Sequence, residues 1–309
     1  MSGVLVTGAG GAAGVAVIAA LVTAGERVVG GDPDPEAVGL RVAGGGVALL
    51  RADDPGFGAR LVTAAACARV DVVISTVSEE LVAVHDARPA LLAAGIRVWV
   101  PPPVAVRTCV DKWAFTGACT RLDVAAPATG LGSEAGVPGP WIVKPRCGRG
   151  SRDVERCDTE DEVRVALGRV PDPIVQTRLA GREFTVDALR APGAEVAVPR
   201  WRLQTRGGIS TRGRTFADDR VSALALRLLA GIGVDGVANV QGFVTDDDEV
   251  VLTEVNPRFS GGLPLTLAAG ADTVGEYLRV IRGLPARAER LRWRSGVLMM
   301  RRFTEVFEG

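Results

Sequence analysis

Only two of the 36 basic residues are lysines, Lys112 and Lys144, and the 309-residue chain has one histidine, His85, one tyrosine, Tyr277, and two asparagines, Asn239 and Asn256. A single His excludes a His-rich metal centre and leaves any Ser-His-Asp or Cys-His device to be built on His85 alone. The 36 basic residues are balanced by 36 acidic ones, so the chain has no net positive charge with which to displace counterions from nucleic acid. Five cysteines, Cys67, Cys109, Cys119, Cys147 and Cys157, contain no CxxC pair. Their odd number fits poorly with a disulfide framework and points to a reducing, cytoplasmic setting. The N-terminus lacks a basic n-region, and the longest apolar stretch, Ala12 to Ala24, falls well short of the roughly 20 residues a membrane span needs. No membrane association is expected.

What is present is an ordinary globular composition, 23% charged and 47% hydrophobic, with length enough for two or three domains. The shortage of Lys, set against abundant Arg, Ala, Gly and Val, fits coding bias in a GC-rich genome. It still makes both surviving lysines conspicuous.

Up to about residue 103, apolar strand-like runs (Val4–Thr7, Arg27–Gly31, Val47–Leu50, Asp71–Thr76, Arg97–Val100) alternate with Ala-rich helical runs. That alternation predicts a parallel sheet with right-handed crossovers. Pro101-Pro102-Pro103 is expected to close this unit, because proline neither continues a helix nor donates to a ladder. A helix is predicted over Val110–Leu122, a strand at Trp141–Lys144, a helix beginning at Asp158 and a buried strand at Ile174–Gln176. Strands at Phe184–Leu189 and Val196–Leu203, a helix at Val221–Ile232 and a hairpin over Val240–Asn256 follow.

Gly8, Gly11 and Gly14 form GxxGxxG between a strand and a helix, and Asp32 closes the second strand. The pattern is Rossmann-like and, alone, suggests a nicotinamide-dependent oxidoreductase. The chemistry argues otherwise. A short-chain oxidoreductase needs a Tyr with a Lys four residues later, and Tyr277 is followed at that spacing by Ile281. A structural turn in a doubly wound domain is the better reading.

Lys144 ends a strand and leads into Arg146-Cys147-Gly148-Arg149-Gly150-Ser151-Arg152. A Gly/Ser/Arg loop beside a Lys suits phosphate, offering backbone N–H groups and point charges. Walker spacing is absent, and a surface turn is the alternative. In the hairpin, taking Asp246-Asp247-Asp248-Glu249 as a four-residue turn makes every cross-strand pair sum to 495, so Gln241 faces Glu254 and Asn239 faces Asn256, all on one face. Gln241, Glu254 and Asn256 are oxygen ligands of the kind that hold Mg2+ beside phosphates, with Arg258 two residues on. A polar outer sheet face is the alternative. Val240, Val244, Val251 and Val255 are expected in the core.

Together Lys112, Lys144 with its GRGS loop, Gln176 to Glu183, and Asn239-x-Gln241 followed by Glu254-x-Asn256-Pro257-Arg258-Phe259-Ser260 resemble the ATP-grasp superfamily. The similarity is to the ATP-grasp unit of the carbamoyl phosphate synthetase large subunit and single-unit carboxylate-amine ligases, and it covers essentially the whole chain. It implies a mixed α/β and α+β architecture: a Rossmann-like pre-ATP-grasp domain at 1–103, a small central subdomain at 104–176 and a C-terminal subdomain at 177–309. It further implies that Lys112 and Lys144 contact ATP phosphates under the loop Gly148, Arg149, Gly150 and Ser151, and that Val175, Gln176 and Leu179 receive adenine. Glu183 would bind ribose, and Gln241, Glu254 and Asn256 would hold Mg2+ or Mn2+. Arg258 would stabilise the transferred phosphoryl group, with Gly261 and Gly262 near substrate, and Gly208-Ile209-Ser210-Thr211 would lie on the nucleotide side. Gln176 departs from the Glu common in the family.

The activity so implied is ATP-dependent ligation of a small-molecule carboxylate and an amine through an acyl phosphate, giving ADP and phosphate, in a protein that binds neither nucleic acid nor membrane, with a homodimer as a candidate assembly. Arginines suit the carboxylate, first Arg258 and then Arg200, Arg202, Arg212 or Arg302. Carboxyphosphate chemistry and a non-catalytic ATP-binding regulatory role are the alternatives.

Overall fold

The computed structural model describes residues 2–132, 136–148, 150, 152–302 and 304–307. Three sheets organise it. The first is a five-stranded parallel sheet of β1 (Val4–Thr7), β2 (Val28–Asp32), β3 (Gly46–Ala48), β4 (Val72–Ile74) and β5 (Arg97–Val98), in the order β3-β2-β1-β4-β5. β1 to β3 progress one way and β4 and β5 the other, so the switch point lies between β1 and β4. In such sheets the crevice outside the carboxyl ends at that point is where ligands bind.

Helix α1 (Ala12–Thr23) follows the glycine turn. A Cβ on Gly14 would meet the Gly8 carbonyl oxygen at 2.1 Å, so this glycine serves close packing of helix on turn. The Asp32 carboxylate accepts the Gly10 N–H at 2.8 Å and the Asp34 N–H at 3.0 Å. A side chain of this protein thus holds the turn's backbone donor, which supports the structural reading of the glycines.

The triple proline starts a helix as well as ending the sheet. Pro102 is the N-cap and Pro103 the first residue of α6 (Pro103–Val110); the missing N–H of a proline costs nothing at a position with no intrahelical acceptor. Helix α7 (Lys112–Arg121) then begins afresh, its N-terminal donors at Trp113 and Ala114 satisfied by the Asp111 carboxylate. Ala105, Cys109, Phe115 and Cys119 from these helices join one core with Phe184, Val186, Leu228 and Leu252.

The second sheet is antiparallel, with β6 (Thr129–Leu131), β9 (Pro173–Thr177), β7 (Trp141–Pro145) and β8 (Glu155–Cys157) side by side. Helix α8 covers Glu160–Leu167, two residues later than Asp158, because Thr159 and Glu162 close a reciprocal capping box. The third sheet is antiparallel and six-stranded, β14-β13-β10-β11-β12-β15. Its strands are β10 (Arg182–Ala191), β11 (Ala194–Arg206), β12 (Ile209–Thr215), β13 (Gly236–Val244), β14 (Val250–Asn256) and β15 (Leu298–Met300), and α9 (Asp219–Ile232) packs on it.

The first and third sheets share a core in which Val6, Ile18 and Leu21 meet Leu189, Val198, Val237 and Leu278. Tyr277 belongs to that junction: its hydroxyl donates to the Trp99 carbonyl and its ring stacks on Trp99 with centroids 5.0 Å apart. Arg282 also clamps Glu26 through two bonds of 2.6 and 2.7 Å. The single Tyr is a structural residue.

The hairpin register differs from the expected one near its turn. Phe243 pairs with Val251 and Val244 with Val250, a sum of 494, and the Thr245 N–H bonds the Glu249 carbonyl at 2.9 Å. The loop therefore has three residues, Asp246 to Asp248, and Asp248 takes the left-handed conformation (φ 60°) that such loops require. A bulge at Thr253 absorbs the offset, restoring the pairs Gln241↔Glu254 and Asn239↔Asn256. As a result Leu252 joins Val240 and Val255 in the core under α9, with Val244 packed half-buried against them, while Val251 is buried outside that cluster.

Candidate active site

Two cavities meet over the six-stranded sheet. The smaller, about 520 Å³, lies between the second and third sheets. Lys112, Lys144, Gly148, Gln176, Leu179 and Glu183 line it, with Ile142 and Phe243 as apolar walls. The larger, about 830 Å³, lies between the glycine-turn end of the parallel sheet and the third sheet, and it is lined by Arg258, Gly261, Gly262 and Asn256. Gln241, Glu254 and Gly150 line both.

The lysines are positioned by a local lock. Asp111, besides capping α7, accepts Nε and Nη2 of Arg146 at 2.9 and 2.6 Å, and the Lys112 N–H bonds the Arg146 carbonyl at 3.0 Å. This sets α7 against the start of the glycine loop, where Lys112 Nζ donates to the Gly148 carbonyl at 3.1 Å. Lys144 Nζ donates to Gln176 Oε1 at 2.8 Å, and Gln176 Nε2 donates to Thr129 Oγ1 at 2.8 Å. An amide at 176 can accept and donate at once, and it gives Lys144 a neutral acceptor where a Glu would add a second carboxylate beside Glu254. Burial brings the Lys144 ammonium down to about 8, with Glu254 opposing that shift and Lys112 adding to it. Arg149 and Ser151 lie outside the described residues.

The other expected nucleotide-side residues divide. Leu179 and Glu183 line the smaller cavity, whereas the Val175 side chain packs with Val143, Cys157, Ala166 and Val170 inside the second sheet. Glu183 is ion-paired with Arg202 Nε at 3.0 Å; burial raises its carboxyl despite Arg202. Gly208, Ile209 and Ser210 line the larger cavity and not the smaller one, because Arg202 Nη2 holds the Gly208 carbonyl at 3.1 Å and folds that turn toward Arg202.

On the hairpin, Asn256 Nδ2 donates to Glu254 Oε1 at 2.7 Å, and Arg258 Nη2 donates to Asn256 Oδ1 at 3.2 Å. Gln241, Glu254 and Asn256 converge as the bulged register requires, one carboxylate with two amide oxygens. Such a set fits a hard divalent cation that takes its remaining ligands from phosphate oxygens and water. Asn256 Oδ1 would have to leave Arg258 to serve it. Among the described residues no group of three or more His, Cys, Asp or Glu could hold a metal by itself.

Sequence reasoning missed a buried network beneath this face. Arg200, 3% exposed, donates through Nη2 to Asp187 at 2.6 Å and to Ser260 Oγ at 3.1 Å. Asp187 also accepts Asn239 Nδ2 at 3.0 Å and Thr266 Oγ1 at 2.6 Å. Asn239 thus faces Asn256 as predicted but serves this network. The signal in the sequence was Asp187 itself, a charge inside an apolar strand. Arg200 and Arg202 line the larger cavity; Arg212 and Arg302 line neither.

Gly262 is needed for this arrangement, since a Cβ there would lie 1.6 Å from Arg200 Nη1. Gly262→Ala is expected to displace Arg200 from Asp187 and to destabilise the protein by roughly 3 kcal/mol, the scale for a broken buried ion pair. Chemical denaturation of the variant against the parent checks this.

Glu80, after β4, was also missed. It is 3% exposed and lines the larger cavity. Its Oε2 accepts from Thr7 Oγ1 and from Ser75 Oγ at 2.9 Å, and no cation is paired with it among the described residues. Burial raises its carboxyl to about 7, against the two hydroxyl bonds and with help from Asp32 and Glu79. Because the folded value lies above the unfolded one of 4.5, stability is lost as pH rises from about 4.5 to 7. Glu80→Gln, which keeps an acceptor for both hydroxyls, is expected to raise stability at pH 8 by up to about 3 kcal/mol. The gain should vanish near pH 4.5 in melts of the two proteins at both pH values.

Residues 169–304 match the family model described as ATP-grasp in the biosynthetic pathway with Ter operon. A D-alanine–D-alanine ligase of Mycolicibacterium smegmatis is 30% identical over 176 residues, covering 43% of this chain and 47% of the ligase. The chain thus spans about half the length of the curated relative it matches. Among solved structures, carboxyaminoimidazole ribonucleotide synthase from Aspergillus clavatus, complexed with ATP, superposes with a TM-score of 0.79 at 17% identity, over 97% of this chain and 81% of that one. Biotin carboxylase from Campylobacter jejuni gives 0.75 at 16% identity over 94% and 73%. L-amino acid ligase from Bacillus licheniformis gives 0.75 at 14% over 96% and 78%. No described helix is long and apolar enough to cross a membrane.

Proposed function

We propose that this chain, whose residues 169–304 match an ATP-grasp family model and whose fold is shared with carboxyaminoimidazole ribonucleotide synthase and biotin carboxylase, is an ATP-grasp ligase that joins a small-molecule carboxylate to an amine through an acyl phosphate. The observation that carries the reading is that Gln241 and Glu254 line both cavities. A donor on one side and an acceptor on the other would exchange a phosphoryl group over the only carboxylate of the hairpin's convergent set. On this reading the three segments 1–103, 104–176 and 177–309 act as substrate wall, nucleotide lid and catalytic base. Residues 103–121 bridge them, since they pack on the third sheet.

ATP occupies the smaller cavity, its phosphates beside Lys112 and Lys144 and its adenine toward Gln176 and Leu179. Gln241, Glu254 and Asn256 hold Mg2+ or Mn2+, which when bound would offset phosphate charge. Arg258 faces the larger cavity, where a guanidinium can orient the attacking carboxylate and stabilise the phosphoryl oxygens. The carboxylate attacks the γ-phosphorus and ADP leaves; the amine then attacks the acyl carbon and phosphate leaves. Catalysis is by positioning and electrostatics.

The similarity to biotin carboxylase favours a second reading, in which bicarbonate takes the carboxylate's place. The test is phosphate release from ATP and Mg2+ with pools of carboxylic acids or bicarbonate, each with and without amines. Stimulation by an organic acid supports the ligase, and by bicarbonate alone the second reading. Tight ATP binding with no stimulation contradicts both and leaves a regulatory ATP-binding protein.

A further inference from the structure

The two walls of the larger cavity differ in charge balance. Its floor on the third sheet carries Arg200, Arg202 and Arg258 against Glu254; its roof, at the carboxyl ends of the parallel strands, carries Asp32, Asp34, Asp53, Glu79 and Glu80 against Arg51, which is paired with Asp53 at 3.2 Å. Glu80 is tied to Thr7 at the end of β1 and to Ser75 just past β4. These two strands flank the switch point of the sheet, the position at which open α/β sheets receive ligands. A carboxylate buried against hydroxyl donors, facing a cavity and with no cation paired to it among the described residues, is a costly arrangement that stability does not explain.

Building on the ligase reading, we propose that Glu80 receives the amine substrate as an ammonium ion and accepts its proton before attack. The transfer is R–NH3+ plus Glu80 carboxylate to R–NH2 plus Glu80 carboxylic acid. The freed nitrogen lone pair forms the C–N bond at the acyl carbon, the C–O bond to phosphate breaks with its electron pair, and the remaining excess proton on nitrogen leaves with the phosphate. The preferred ligand is therefore a primary ammonium, excluding substrates whose nitrogen cannot carry a positive charge. Asp32, held by the Gly10 and Asp34 N–H groups, and Glu79 add negative potential. His85 and Asp86 on α4 (Leu81–Asp86) and Arg107 and Cys109 on α6 are the other charged or titratable groups on elements packed against this turn; none of them figures among the groups that shift Glu80.

The experiment compares two nucleophiles in the full chain, using a carboxylate that stimulates ATP turnover: an alkyl amine, cationic at neutral pH, and hydroxylamine, largely neutral there. Glu80→Gln is expected to lower kcat/KM at least tenfold more for the amine than for hydroxylamine, and to remove the acidic limb from the amine's pH profile. Equal losses with both nucleophiles, or an unchanged profile, overturn the role of Glu80. Failure of the unmodified protein to form either amide or hydroxamate would instead sink the ligase reading. Should Glu80→Gln not fold, Thr7→Val retains the carboxylate but removes one hydroxyl donor. It is expected to shift the acidic limb to higher pH, and an unmoved limb counts against the proposal.

Discussion

Glu254→Gln is expected to lower carboxylate-dependent ATP turnover by at least about 10³-fold, some 4 kcal/mol of barrier, with the fold intact. Glu254 is the single negative charge among Gln241, Glu254 and Asn256, and it lies where the two cavities join. Removing it takes away the charge that would hold a divalent cation against the phosphates, a contribution of several kcal/mol to phosphoryl transfer. The structural cost is small: an amide preserves the volume, and its oxygen can still accept from Asn256 Nδ2, now at 2.7 Å. Steady-state turnover with Mg2+, beside a thermal melt, checks both halves. Residual activity above a tenth would contradict the metal assignment, and a lost melting transition would mean that Glu254 serves the fold.

The second large effect is at Lys144. Lys144→Ala is expected to reduce turnover by about 10²-fold or more, the scale for losing one preorganised charge at a developing anion. The environment adds a pH signature. Burial, with Lys112 nearby, brings the ammonium to about 8 although Glu254 pulls the other way. On the proposed placement, Lys144 below that value would meet phosphate as a cation; above it the charge is lost, and ATP would have to bring a proton with it. The KM for ATP should therefore climb between pH 8 and 9 in the parent protein and stay flat over that interval in the variant. A climb of equal size in both would assign the titration to another group.

How much of this was legible in the sequence follows from how local each signal is. Alternation of apolar residues located β1, β2 and the hairpin strands, and the two lysines stood out because the rest of the basic complement is Arg. The pairing of Gln241 with Glu254 was right although the turn beside it was misjudged: the three-residue loop shifts the register by one and the bulge at Thr253 shifts it back. A bulge depends on how two strands twist against each other, which no run of residues displays. The start of α8 was missed for a different reason, since the capping box Thr159-x-x-Glu162 was present in the sequence one residue after Asp158, where the helix was placed.

Long-range polar networks were not legible. Asp187, Arg200, Asn239, Ser260 and Thr266 are brought together from four elements and a loop, and only Asp187, a charge inside an apolar strand, hinted at it. Glu80 lies in the polar run Ser78-Glu79-Glu80, where no apolar pattern marks it as buried; its carboxylate is held by Thr7, 73 positions away. Val175 was assigned to the nucleotide side with its neighbour Gln176, but strand alternation sends adjacent side chains to opposite faces, and Val175 belongs to the core of the second sheet.

The central claim, phosphoryl transfer from ATP to a carboxylate, is tested most directly by isotope transfer. A stimulating acid labelled with 18O in its carboxyl group is incubated with ATP, Mg2+ and the amine, and the released phosphate is analysed by mass spectrometry. The account predicts one 18O atom in each phosphate formed with product. Product formed alongside unlabelled phosphate would contradict it.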